Sequence, residues 1–444
     1  MHNLQLLEEA LTKLKGGFTS FPDTLNNTNS QEIGDILQKT AQRLHDNFPY
    51  PQTEYAGQMI KPPHAVARLA YMMALYINPN NHALDGGRAS SAMEKETVAE
   101  LAKMVGWKEH LGHLTSGGTF ANLEALWVSG KLRPDKKVVA SELAHYTHER
   151  ISAVLGLPFG KVAADKQGRL DIPSLEAELK MGTVGTVVVT LGTTGAGAVD
   201  PLADILALRE QYDFRIHVDG AYGGYFTLSD ALSDDIKRHY RALSEADSLV
   251  VDPHKHGLQP YGCGSILFRD PSVGRFYKHD SPYTYFSSAE LHLGEISLEC
   301  SRAGAAAVAL WATQQLFPME YNGRFAQEIL DKCLAAAEKL YEALDASEQF
   351  TPLFRPELDI VVWIPKGVSF SEISAHSRRL FEQMAQRGIH LALFNYPKHL
   401  LPDHLSTLKA DADHLTCLRS CLMKPEHLEF VERMMEELED VVQN

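Results

Sequence analysis

Long apolar runs, paired cysteines and clustered basic residues are all missing from this 444-residue sequence. No stretch of about 18 apolar residues occurs, so nothing reads as a membrane span. The N-terminus, MHNLQLLEEALTKLKGG, is an amphipathic charged pattern without the apolar core of a secretory signal. The five cysteines (Cys263, Cys300, Cys333, Cys417 and Cys421) are odd in number and contain no CxxC pair. That argues against a disulfide scaffold, a zinc ribbon or a dithiol redox site, and the sequence gives no metal-ligand cluster. Reduced, mostly packed thiols and a cytoplasmic location are the expectation. Lys and Arg number 42 against 57 Asp and Glu, a formal charge of -15 with no long basic run. Nucleic acid and anionic membrane surfaces are therefore poor partners, and any anion needs a local site. There is no internal repeat, heptad run or low-complexity segment.

What is present is a globular composition, 44% hydrophobic and 22% charged, in a chain long enough for two or three units around a large core. Residues 1–60 carry helical patterns broken by Gly16-Gly17, Pro22 and Pro49-Pro51, with no strand to give them a core of their own. They read as an arm that packs on something else. Short β-rich runs then alternate with helix-length segments: KVVAS from 137, VGTVVVTLG from 184, FRIHVDG from 214, SLVVDPH from 248 and GSILFRD from 264. Nearly continuous apolar strands of this kind predict an α/β fold, a mostly parallel sheet covered on both faces, with ligands at the carboxyl ends of the strands. From residue 324 a long helical pattern leads to strand-like LDIVVWIP, helical SFSEISAHSRRLFEQMAQRG, strand-like IHLALF and LTCLRSCLM, and a final acidic helix. The division expected is an arm over 1–60, a large unit over 61–323 and a small α+β unit over 324–444.

Lys255, in VDPHKHGLQPYGCG, follows an apolar strand and precedes a Gly-rich turn, where a side chain projects from the sheet edge into a cleft. Burial and a cationic neighbour can lower a lysine's pKa and free its amine for Schiff-base chemistry. His254, just before it, can donate to a phosphate. Asp219 ends the strand in FRIHVDGAYGG, ahead of small residues that let a flat ring approach the backbone. Its alternative is a turn cap. His217, on the same strand face, is read as a packing or hydrogen-bonding residue. In LTSGGTFANLEAL, Gly117, Gly118 and Thr119 lead from a turn into a helix, where backbone N–H groups favour a phosphate. His145, in SELAHYTHER, lies past a strand's end and can stack on an aromatic ring. Thr193 and Thr194, in TLGTTGAGAVDP, can reach a ring oxygen or serve as turn residues.

In order and spacing these segments resemble the group II pyridoxal-5'-phosphate (PLP) dependent amino acid decarboxylases, which have the aspartate aminotransferase-like fold type I, over residues 55–430. The resemblance implies a Schiff base between PLP and Lys255, with Asp219 on the pyridine nitrogen. It also implies His145 and Ala221 on the two ring faces, and a phosphate held by TSGGT and His254. INPNNHALDGGRASSAMEKE resembles the segment that borders the family's substrate pocket, which makes His82 a substrate-binding candidate. LTCLRSCLMKP resembles its late Leu-Arg strand, which makes Arg419 the candidate for the substrate carboxylate, the alternative being an interdomain ion pair. LECSRAGAAAVALW resembles a Ser-Arg-x-Gly stretch that contributes to the neighbouring subunit's phosphate site, so Ser301 and Arg302 are candidates across a homodimer interface with shared active sites. One departure stands out. The family tyrosine that donates a proton, about nine residues before the position of Arg302, is absent from LHLGEISLE; Tyr283, Tyr285 and His292 are the substitutes.

The expected activity is PLP-dependent decarboxylation of an L-amino acid to its amine. The rival is a retro-aldol carbon–carbon lyase of the sphingosine-phosphate lyase type. An aminotransferase or a catalytically silent PLP-binding protein fits less well, since the residues implied for the cofactor are all intact.

Overall fold

The computed structural model describes residues 2–21, 29–82, 86–278 and 296–443. Seven strands form the larger sheet: β1 (Leu111–Thr115), β2 (Lys137–Ser141), β3 (Phe159–Val162), β4 (Val184–Thr190), β5 (Arg215–Asp219), β6 (Ser248–Val251) and β7 (Gly264–Phe268). Their spatial order is β1-β7-β6-β5-β4-β2-β3. Neighbours from β3 to β6 pair in parallel, while β7 runs antiparallel to both β6 and β1. All seven positions of β4 are buried, as the unbroken VGTVVVT run requires of a strand covered on both faces. The five predicted strands are present. β1 and β3 were not foreseen, because LGHLT lacks β-branched residues until its last position and FGKV is short and only half buried.

Helices pack on this sheet where the sequence alternates. Of these, α4 (Arg88–Met104), α5 (Gly118–Leu132) and α6 (Thr147–Leu155) bear on the site, and α1 (His2–Lys15), α2 (Ser30–Leu44) and α3 (Ala65–Leu75) precede them. The second sheet has four antiparallel strands, β8 (Phe350–Pro352), β9 (Ile360–Pro365), β10 (Ala392–Pro397) and β11 (His414–Cys421), in the order β10-β11-β9-β8. Its core joins Trp363 and Leu418 to Leu340 and Met434 of flanking helices. The run IHLALF from 389 enters its sheet only at Ala392. Before that, His390 N–H donates to Glu54 O (2.9 Å) and His390 O accepts from Ala56 N–H (2.8 Å), so these residues pair with the N-terminal segment instead.

That pairing belongs to a strap of residues 52–61 laid across the C-terminal strand. Cys421 N–H donates to Ala56 O at 2.8 Å, and His427 Nε2 to Thr53 O at 3.0 Å. Two buried lysines complete it: Lys424 Nζ donates to Gln52 O (2.9 Å) and Tyr55 O (2.5 Å), and Lys61 Nζ to Met423 O (3.1 Å). Burial pushes the Lys424 amine down to about 8. Among the described residues no helix is long and apolar enough to cross a membrane.

Arg302 does not lie at the surface awaiting another subunit. Its guanidinium pairs with the buried Glu94 of α4 and donates to Leu114 O (2.9 Å) and Asn81 O (3.1 Å). Glu94 in turn accepts from Leu114 N–H at 3.0 Å and Asn81 Nδ2 at 2.5 Å. Removing one partner of a buried ion pair strands the other's charge and costs about 3–5 kcal/mol. Arg302→Ala should therefore lower the free energy of urea unfolding by an amount in that range, and Arg302→Lys should recover only part, since an ammonium cannot reproduce the fork.

Candidate active site

The carboxyl ends of the parallel strands converge on a cavity of about 420 Å³. Thr190 closes β4, Asp219 closes β5, Asp252 follows β6, and His145 lies four residues beyond β2. The loop after β1 supplies Ser116, Gly117, Gly118 and Thr119, and Ala221, His254 and Lys255 also line the wall.

The phosphate-type loop is shaped by close packing. Gly117 has φ +153°, and a side chain at Gly264 of β7 would put its Cβ 2.6 Å from the Gly117 backbone. A Cβ on Gly118 would come 2.7 Å from Asp252 Oδ2. Helix α5 starts here with no side-chain cap, which leaves its first N–H groups for an anion.

Lys255 Nζ lies 3.3 Å from Asp252 Oδ2, and His254 Nε2 lies 3.5 Å from the same oxygen. His254 Nδ1–H donates to Cys263 O at 2.8 Å, and burial lowers its pKa. Asp219 is 5% exposed. Burial alone would raise its carboxyl, but the hydrogen bond and charge of His148, with Lys255 nearby, hold it well below the usual carboxylate range. Its Oδ2 accepts from His148 Nε2 at 2.9 Å and Asn122 Nδ2 at 3.3 Å, and its Oδ1 from Ala221 N–H at 3.1 Å.

The His145 ring is oriented through Nδ1, which accepts from the Thr147 hydroxyl (2.6 Å) and N–H (3.3 Å). Tyr146 stacks on it at 4.5 Å between centroids, and burial lowers the pKa of the His145 imidazole, which favours its neutral form as an aromatic surface. Among the described residues that line the cavity, two buried polar atoms have no protein partner, the Thr190 hydroxyl and Asp252 Oδ1. A glycine-built anion cradle, an amine, a neutral imidazole and an ionised carboxylate around a cavity of this size suit an anionic, aromatic, carbonyl-bearing cofactor such as PLP.

Several expected residues stand elsewhere. The Thr193 hydroxyl accepts from Ala198 N–H (3.1 Å) and closes the turn, so Thr194 lines the cavity instead. Arg419 is behind that wall: Nη1 donates to Thr194 O at 2.8 Å, Nη2 approaches Gly57 O and Gln58 Oε1 at 3.4 Å, and Nε has no partner. His82 does not line the cavity; its ring lies 3.6 Å from Cys300 Sγ. Ser301 does not line it either, and accepts from Asn80 Nδ2 at 3.1 Å. Tyr283, Tyr285 and His292 lie outside the described residues.

The sequence also understated the site. Asp252 sits inside the DPHK segment, three residues before the lysine, and went unassigned. Asn122 is one turn into α5 from Gly118 and so shares its face, while His148 is three residues beyond His145. Only the helix registers could have pointed to these two.

Comparison with known proteins matches this architecture. An L-tyrosine decarboxylase of Enterococcus faecium is 26% identical over 85% of this chain and 79% of its own. A probable L-tyrosine/L-aspartate decarboxylase of Methanothrix thermoacetophila is 28% identical over 83% and 88%. Oryza sativa TDC, solved with PLP and tryptamine, superposes with a TM-score of 0.79 over 97% of this chain and 92% of that one at 15% identity, a likeness of fold. The pyridoxal-dependent decarboxylase conserved domain matches residues 123–365, a span that runs from α5 through β9 and takes in every strand end on the cavity from β2 to β6. Since that match covers more than half of the sequence, the chain belongs to the pyridoxal-dependent decarboxylase family.

Proposed function

We propose that Lys255 is the residue that carries the cofactor and Asp219 the counter-ion of its ring nitrogen, in an enzyme that decarboxylates L-tyrosine or a related L-amino acid. The observation that carries this assignment is the convergence of Lys255 and an ionised, buried Asp219 on one cavity. The family fixes the reaction type as PLP-dependent amino acid decarboxylation, and relatives named as L-tyrosine and L-aspartate decarboxylases favour it over retro-aldol cleavage. When bound, PLP supplies an electrophilic carbonyl for the substrate amine and a protonated ring that takes up the electrons left at the α-carbon as carbon dioxide departs.

The protein's part is to hold and orient. Gly117, Gly118, Thr119 and His254 would bind the phosphate, with uncapped α5 N–H groups as donors. His145 and Ala221 would bracket the ring. Asp252 accepts the Lys255 ammonium whenever the lysine is free. Arg419, behind the cavity wall with an unpartnered Nε, would bind the α-carboxylate by releasing the Thr194 carbonyl, so that Nε and Nη1 offer the fork. The proton donor to the product carbon we place in the segment that holds Tyr283 and Tyr285.

We further propose a homodimer in which the N-terminal arm, residues 1–60, reaches the partner through α2 while its end from residue 52 straps the chain's own C-terminal strand, with 61–323 and 324–444 as the larger and smaller units and Ser301 contributing to the partner's phosphate site. Helix α2 supports this. It buries no residue on its own chain, while Ile36 is 54% and Leu37 61% exposed on an amphipathic helix. Buried free thiols suit a reducing, cytoplasmic setting.

Borohydride reduction of the PLP-loaded protein followed by peptide mapping should place the pyridoxyl group on Lys255; label on another lysine would sink the assignment. Arg419→Ala should raise the KM for L-tyrosine by about tenfold to a hundredfold, the loss of a charged hydrogen bond, and Arg419→Lys should not restore it. Steady-state kinetics on both variants decides this. Sedimentation should show a dimer that Ile36→Glu with Leu37→Glu shifts toward monomer. A dimer unaffected by the pair would put the interface elsewhere.

A further inference from the structure

Behind Asp219 stands a hydrogen-bonded chain that no residue assigned above belongs to. His148 and Asn122 both donate to Asp219 Oδ2, at 2.9 and 3.3 Å. Asn122 Oδ1 is 2.7 Å from His217 Nε2, and His217 Nδ1 is 2.8 Å from the Ser248 hydroxyl. Burial pushes the His217 imidazole down to about 3, so it is neutral with a single N–H. An amide oxygen only accepts, which places that hydrogen on Nε2 and makes Ser248 the donor to Nδ1. Every hydrogen bond from Ser248 through His217 and Asn122 therefore points one way, toward Asp219.

The two side-chain donors are not equivalent. Asn122 can offer a fixed hydrogen bond and nothing more. His148 is fully buried, its Nδ1 has no protein partner, and its Nε2–H donates whether the ring is neutral or charged. The other titratable groups around the pair are His145, His217, Lys255 and Asp252; His217 is neutral, and Lys255 is already paired with Asp252. A carboxyl buried at this depth without donors takes up a proton, and a neutral acid is a poor counter-ion for a protonated ring nitrogen.

We propose that His148 is a positioning residue for the decarboxylation, which keeps the Asp219 carboxylate ionised and oriented and so acts on the cofactor's ring nitrogen without touching it. The inference rests on the assignment of Asp219 to that nitrogen. The sign follows from the linkage. A donor to the charged form holds the folded pKa of Asp219 down, so its removal raises that pKa toward the neutral range and harms function most at low pH.

The test compares wild type, His148→Phe, His148→Gln and Asp219→Asn, each checked for folding by circular dichroism. Two quantities are read across the neutral pH range: the dissociation constant of PLP from the protein, by fluorescence titration, and kcat with KM for L-tyrosine. His148→Phe should weaken PLP binding and lower kcat by about tenfold to a hundredfold at the acidic end, with KM little changed and both defects shrinking as pH rises. His148→Gln keeps an N–H donor and should stay close to wild type at every pH. If phenylalanine is too wide for the site to fold, His148→Met removes the same donor. A folded Phe or Met variant with wild-type PLP affinity and pH profile overturns the proposal. Asp219→Asn separates the two levels: if it too is unchanged, the Asp219 assignment has failed, and if it alone is impaired, only the role of His148 has.

Discussion

A carboxylate at the buried end of a strand is the constraint to which the rest of the site answers. Asp219 is almost without solvent, so its charge persists only because neighbouring elements bring donors to it: Ala221 from its own turn, Asn122 from α5 and His148 from α6. That requirement fixes how α5 and α6 sit on the sheet. It also accounts for the buried polar residues on β5 and β6, where His217 and Ser248 would be poor choices for packing alone. Lys255 and Asp252 form a second charged pair at the neighbouring strand end. Asp219 and this pair both lie at the carboxyl ends of the parallel strands, the edge that lines the cavity.

Much of this was legible in the sequence because two physical signals coincide. Unbroken apolar runs such as VVVT and SLVV mark strands covered on both faces, and the polar residue ending each run is where side chains leave the sheet. Asp219 ends such a run, and His145 and Lys255 each follow one by four residues, whereas the Gly117-Gly118 turn is legible from its own glycines ahead of a helical pattern. What stayed hidden came from positions whose meaning depends on helix register or on distant backbone. Asn122 and His148 look like ordinary helical residues until α5 and α6 are docked. Thr193 and Thr194 are adjacent and chemically alike, and the turn's closure onto Ala198 decides which one faces the cavity.

Arg302 and Arg419 show the same limit for cations. Each was assigned to an anion outside its own chain, a partner's phosphate or a substrate. In the folded chain Arg302 answers the buried Glu94 and two carbonyls, and Arg419 leans on carbonyls at Thr194 and Gly57. A guanidinium carries five donors, so a buried one satisfies several acceptors at once, and local sequence cannot say which. For Arg302 the intrachain ion pair is a structural commitment. For Arg419 the unpartnered Nε leaves capacity for a further anion.

The strap of residues 52–61 has a consequence for the order in which the molecule comes into being. Its hydrogen bonds run to Cys421, Met423, Lys424 and His427, contacts separated by more than 360 residues. During synthesis the strap emerges more than 360 residues before the strand that receives it. Until then its carbonyls and the Lys61 amine depend on water, and Gly57 has no Arg419 to meet. The nascent chain can assemble the parallel strands β2 to β6 first, because they lie close in sequence, but the strap cannot seat and the Thr194 carbonyl cannot meet Arg419 until residues 419–427 have been made.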